Sequence, residues 1–110
     1  PQREVRDVDA LTAARWLKEH PDTVVLDVRT PDEYADGHIE GARLLDFQSD
    51  DFAAKLGELD KTKTYLVHCA VGGRSSRARD LMAKEGFDRV LHLEGGIQAW
   101  IESGRPVTKE

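Results

Sequence analysis

Cysteine is nearly absent from this sequence: Cys69 is the only one in 110 residues. An intramolecular disulfide and any zinc site built from several thiolates are therefore excluded, which leaves a packed thiol or a reactive one. Long apolar runs are missing too. Nothing approaches the ~20 residues that a membrane-spanning helix requires, and the mean hydropathy is -0.56, so a soluble chain that does not enter a membrane is expected. Positive charge is in deficit. Lys and Arg number 16 against 21 Asp and Glu, a net charge of -5, so no global field draws phosphate backbones and no nucleic-acid partner is expected. Ligand spacing is lacking as well: His20, His38 and His92 are scattered, and neither a metal site nor a cofactor is expected. The initiator methionine is also missing, with Pro1 in its place. A lone thiol favours a reducing, cytoplasmic compartment, while removal of a preceding segment would leave export open.

What is present suits one compact domain over residues 1–110. A chain of this length removes roughly two-thirds of its unfolded surface from water on folding, and 39% hydrophobic residues can supply the core. Thr23 to Val28, Lys63 to Cys69 and Arg89 to Leu93 are short and almost continuously apolar or β-branched, the pattern of strands covered on both faces. Val5 to Val8 and Arg43 to Leu45 add two shorter candidates. Helix signals alternate with them. Asp9 precedes Leu11, Ala14 and Leu17 at helical spacing, Thr30-Pro31-Asp32-Glu33 combines a capping box with Pro at the first helical position, and Ser49 precedes Phe52, Leu56 and Leu59. A fourth helix is predicted from about Arg74 to Glu85 with Gly86 as its stop, and a fifth from Ile97 to Glu102 after the Gly95-Gly96 turn. The alternation predicts an α/β fold, a mostly parallel central sheet of about five strands with helices on both faces. Residues 106–110 are expected to fray.

The chemistry concentrates in Tyr65-Leu66-Val67-His68-Cys69-Ala70-Val71-Gly72-Gly73-Arg74-Ser75-Ser76. A strand ends at the thiol, a glycine-bearing loop follows, and a helix begins near Arg74. Cys69 thus falls at the C-terminal end of a parallel strand, where open α/β sheets bind ligands, and backbone N–H groups of the loop and first helical turn form an anion-binding nest. From Cys69 to Arg79 there are three arginines, Arg74, Arg77 and Arg79, and no acid. A free thiol ionises near ~8.5, and making thiolate the majority form at neutral pH takes about 2.7 kcal/mol. A partly buried helix N-terminus supplies up to ~2 kcal/mol, and a guanidinium about 6 Å away adds roughly 2 to 3 kcal/mol at an effective dielectric of ~20. An isolated cysteine is most often a core residue, but the glycines, the arginine and the helix start favour an activated nucleophile. Arg74, a cation at a helix N-terminus, calls for a compensating anion. Arg77 and Arg79 are helix-surface charges by default, with Arg79 a secondary substrate contact. His68 alternates with Cys69 along the strand, so it is read as packed on the opposite face rather than as a base.

These residues resemble the rhodanese family, specifically its single-domain sulfurtransferases. The resemblance runs through Leu26-Asp27-Val28-Arg29, Pro31-Asp32-Glu33-Tyr34, Gly37-His38-Ile39-Glu40-Gly41-Ala42, Cys69 to Ser75, and Gly86-Phe87 to Gly104-Arg105-Pro106-Val107. It implies a rhodanese-like domain that moves a sulfane sulfur from thiosulfate or a similar anion to cyanide or a thiol through a persulfide on Cys69. A protein acceptor is a further option. Ala70, Val71, Gly72, Gly73, Arg74 and Ser75 would cradle the substrate, with Arg74 closing the loop. Asp27, Arg29 and Gly37-His38-Ile39 would support fold and loop. Phosphatase-like relatives carry a loop one residue longer than the four residues between Cys69 and Arg74, which disfavours phosphate or arsenate chemistry. The alternative is a non-catalytic docking or sulfur-relay module.

Overall fold

The computed structural model describes residues 3–110, so Pro1 at the opening of the chain lies outside them. Strands β1 (Glu4–Val8), β2 (Val24–Asp27), β3 (Arg43–Leu44), β4 (Thr64–His68) and β5 (Arg89–Leu93) interleave with helices α1 (Ala10–Glu19), α2 (Pro31–Asp36), α3 (Phe52–Gly57), α4 (Gly73–Lys84) and α5 (Gly96–Glu102). The strands form one sheet in the order β1-β5-β4-β2-β3, and every pairing within it is parallel. Parallel neighbours cannot be joined by tight hairpins, so the connections cross a face of the sheet and carry helices.

Alternation along the central strands divides the core into two layers. Tyr65, Val67 and Cys69 pack with Phe52 and Leu56 of α3 and Ala78 and Met82 of α4, whereas Leu66 packs with Ala13 of α1 and Ile97 and Trp100 of α5. The same alternation puts His68 on the face opposite Cys69, fully buried. Burial lowers its basicity against the opposing pull of Asp27, so the imidazole is neutral and its Nδ1, 3.0 Å from the Cys69 carbonyl, is the nitrogen that donates.

Local signals account for several helix ends. The Asp9 side chain accepts from the Thr12 N–H at 2.8 Å, and Thr30 and Glu33 form the reciprocal capping box. Helix α4 ends as Gly86 donates to the Ala83 carbonyl and Phe87 to the Met82 carbonyl, with Phe87 and Met82 both in the core. Ser49 is not the cap of α3. The N-cap position is Asp51, whose side chain caps nothing; Ser49 instead forms the turn before the helix, accepting from the Phe52 N–H and bonding the Asp51 carboxylate through its hydroxyl.

Residues 106–110, expected to fray, are tied down. Thr108 exchanges two backbone hydrogen bonds with His38, each 2.8 Å, in an isolated antiparallel bridge. The Trp100 indole donates to the Pro106 carbonyl at 3.0 Å. Composition suggested a free tail because these partners lie far away in sequence.

Candidate active site

The chain leaves the sheet at Cys69 and curls through Ala70, Val71 and Gly72 into α4. Cys69 is only 1% exposed, whereas Val71 beside it is 63% exposed. The sulfur accepts hydrogen bonds from the Gly72 N–H at 3.1 Å and the Ser75 hydroxyl at 3.2 Å. Burial pushes the thiol upward, but the Ser75 hydroxyl and the backbone N–H groups of Ser75, Gly72 and Val71 outweigh it and hold Cys69 below the usual thiol range. The first turn of α4 adds its dipole. Gly72 makes the curl possible at φ +123°, a backbone conformation that side chains resist.

Helix α5 holds the other side of the loop. Ile97 donates to the Cys69 carbonyl at 3.0 Å and Gln98 to the Ala70 carbonyl at 3.2 Å. With these carbonyls engaged by α5, the loop N–H groups are left for the sulfur. The approach is so close that a Cβ on Gly96, at φ +62°, would collide with the Ala70 carbonyl and come within 2.6 Å of the Cys69 oxygen. The sequence marks Gly95-Gly96 only as a turn; its service to the loop is tertiary.

Arg74 lies in the first turn of α4, and its compensating anion is Glu33. The guanidinium donates to both carboxylate oxygens, at 2.7 and 3.0 Å. Arg74 chiefly, with Thr30, holds Glu33 at about 2 despite an opposing contribution from burial. Glu33 thus caps α2 and anchors the loop across 41 positions of sequence. Only its capping role was readable locally. Asp27 and Arg29 form a buried pair, Nη2 to Oδ2 at 2.8 Å, and Arg29 also donates to the Gly37 carbonyl at 2.7 Å, fixing the segment that follows α2.

Arg77 is exposed. Arg79 is engaged elsewhere: it pairs with Asp7 at 2.7 Å and with Asp80 at 3.0 Å. The site also includes two residues that the sequence reading left out. The Ser75 hydroxyl lies 2.7 Å from Nε2 of His92, and Nδ1 of His92 lies 3.0 Å from the Asp7 carboxylate. Strand register could have brought Asp7 and His92 together, since they sit opposite one another in the β1–β5 pair; nothing local in the sequence does. Among the described residues no group of His, Cys, Asp and Glu side chains has the arrangement that could hold a metal ion. Two surface clefts, one of about 430 Å³ beside β3 and α3 and one of about 460 Å³ beside Trp16 and Arg89, are lined by other residues than the Cys69 loop.

Comparison with known proteins gives a consistent picture. Residues 10–103 match the model of the rhodanese-like domain. A sulfurtransferase of Allochromatium vinosum is 32% identical over 94% of both chains. The thiosulfate sulfurtransferase GlpE of Shewanella oneidensis is 30% identical over 79% of this chain and 84% of its own. Two longer curated relatives, 34% identical, match over only 24% of their length. A crystal structure of a rhodanese-related protein from Thermoplasma volcanium superposes with a TM-score of 0.85 and 34% identity, covering 96% of this chain and 99% of that one. The parallel five-stranded fold, the family match and these relatives together establish that the chain belongs to the rhodanese-like domain family, among sulfurtransferases.

Proposed function

We propose that this protein transfers sulfane sulfur by double displacement, with Cys69 as nucleophile and residues Ala70 to Ser75 as the cradle. The observation that carries the reading is the set of hydrogen bonds donated to Sγ by the loop and by Ser75. They favour a thiolate in the resting chain, so the first step needs no general base. The thiolate attacks the outer sulfur of thiosulfate. The S–S bond of the donor breaks, sulfite leaves with the electron pair, and Cys69 becomes a persulfide whose terminal sulfur carries the negative charge. Cyanide or a thiolate then attacks that terminal sulfur, the persulfide bond breaks, and the Cys69 thiolate returns.

Thiosulfate is the proposed donor because one relative bears that name and because the backbone N–H groups of the loop and of the first turn of α4 suit an anion. Arg79 stands farther along α4, paired to Asp7 and Asp80, and acts on anion affinity through the local field. Exposed Val71 on the loop favours a second reading, a relay to a protein acceptor that docks over it.

Thiocyanate formation from thiosulfate and cyanide tests the proposal. Cys69 should gain one sulfur atom by mass spectrometry on exposure to thiosulfate and lose it to cyanide. Turnover by Cys69→Ser equal to wild type would sink the mechanism. A stable persulfide that cyanide does not discharge would move the assignment to the relay reading.

A further inference from the structure

A connected chain of polar groups runs inward from the edge of the sheet to the sulfur: Asp7 on β1, His92 on β5, Ser75 on α4 and Cys69 after β4. The separations are 3.0 Å from Asp7 to Nδ1, 2.7 Å from Nε2 to the Ser75 hydroxyl, and 3.2 Å from that hydroxyl to Sγ. Ser75 is fully buried and His92 is 4% exposed. The alternation of β5 puts His92 on the same face as Cys69, opposite to His68. Double displacement uses the sulfur and the Ser75 hydroxyl that donates to it, and leaves Asp7 and His92 without a part.

Counting protons shows what they can do. A serine hydroxyl has one hydrogen, and this one has three acceptors within reach: Sγ, Nε2 of His92, and the Gly72 carbonyl at 3.3 Å. The Asp7 carboxylate only accepts, so Nδ1 facing it carries a proton. Burial pushes Asp7 upward, yet bonds from Arg79 and His92 outweigh that and hold it below the usual carboxylate range, which keeps it an acceptor. When the imidazole is neutral, Nε2 is therefore bare and takes the Ser75 proton. When the imidazole is charged, Nε2 donates to the hydroxyl oxygen, and the serine proton is free to turn to sulfur.

We propose that His92, oriented by Asp7, is a positioning residue whose protonation decides whether the single Ser75 proton points at Cys69 or away from it. The consequence for turnover rests on the sulfur-transfer reading; the effect on the thiol does not. The charged and titratable groups facing the ring come from three elements. They are Asp7 on β1, Arg79 on α4, whose Nη1 is 3.5 Å from Nδ1 and bonded to Asp7 and, through Nε, to Asp80, and, by way of the Ser75 hydroxyl, Cys69 after β4; His68 points to the opposite face of the sheet. Arg79 shares the Asp7 oxygen with His92 and so competes with the imidazole for its orienting partner. A sulfur whose donor set passes through an imidazole can lose or gain a donor, where a backbone-only cradle would be constant.

The test is titration of the only thiol in the chain by thiolate absorbance near 240 nm, in wild type, His92→Gln, Ser75→Ala and the double variant. Gln keeps an amide donor near the position of Nε2 but cannot titrate. Wild type should titrate in two coupled steps, and His92→Gln in one. Ser75→Ala should also titrate in one step, with roughly tenfold less thiolate at pH values below its midpoint, the effect of one lost charge-assisted hydrogen bond. The double variant should match Ser75→Ala. Superimposable wild-type and His92→Gln curves would overturn the proposal, and so would a His92→Gln effect that persists undiminished without Ser75. Because the readout is the thiol itself, it stands apart from thiocyanate production: a protein that makes none can still show the coupling, and an active one can lack it.

Discussion

Replacing Glu33 by Gln removes one charge from the ion pair that closes the loop and changes little else. Gln serves a capping box as well as Glu does, so the bond between the Glu33 side chain and the Thr30 N–H, 3.0 Å, has a replacement. What is lost is the two-pronged ionic contact with Arg74. The carboxyl sits at about 2 against an ordinary 4.5, and at ~1.4 kcal/mol per pH unit this gap sets a ceiling of about 3 kcal/mol. The Glu33 and Arg74 side chains are 34% and 23% exposed, so solvent screening reduces the stabilisation to about 1 to 2 kcal/mol. The sign follows from linkage. A carboxyl whose folded value is depressed stabilises the fold fully above its ordinary value near 4.5, and this stabilisation is lost as pH falls toward about 2. Urea denaturation should therefore find Glu33→Gln less stable than wild type by about 1 to 2 kcal/mol at pH 7, with the two converging near pH 2. Equal stability at pH 7, or a difference that survives unchanged at pH 2, would refute the assignment of the pair.

Two further outcomes concern the loop. Arg74→Lys keeps the charge but not the planar fork, so it should retain part of the thiosulfate activity, while Arg74→Ala should fall by about a hundredfold or more; steady-state kinetics in thiosulfate decide it, and wild-type kinetics in Arg74→Ala would reduce the arginine to a surface charge. Gly96→Ala forces a Cβ onto the Ala70 carbonyl at φ +62°. It should lower stability by about 2 kcal/mol or more and suppress persulfide formation together with it, as read by thermal unfolding and intact mass; an unaffected loop would mean that α5 does not hold it.

Much of this molecule was readable residue by residue because the relevant physics is short-range. The Asp9 cap spans three positions, the Thr30–Glu33 box three, and the stop at Gly86 depends on its immediate neighbours. The two-faced strands announced a covered parallel sheet through their near-continuous apolar runs, and Cys69, Gly72 and Arg74 lie within six consecutive residues. Ser49 misled because a cap-forming residue in a turn has the same composition as a cap. Other decisions were made only by tertiary structure. Glu33 reaches Arg74 across 41 positions, Asp7 reaches His92 across 85, and Ser75 reaches His92 across 17. These contacts exist because strand order β1-β5-β4-β2-β3 lays the first strand beside the last and both within reach of α4. No local pattern encodes such neighbours, since parallel pairing is settled by how whole faces bury against helices and not by any residue near the turn. For the same reason the sequence alone singled out Cys69 and its loop as candidates, while the groups bonded to the hydroxyl beside the sulfur and to the Arg74 guanidinium came from the packed sheet.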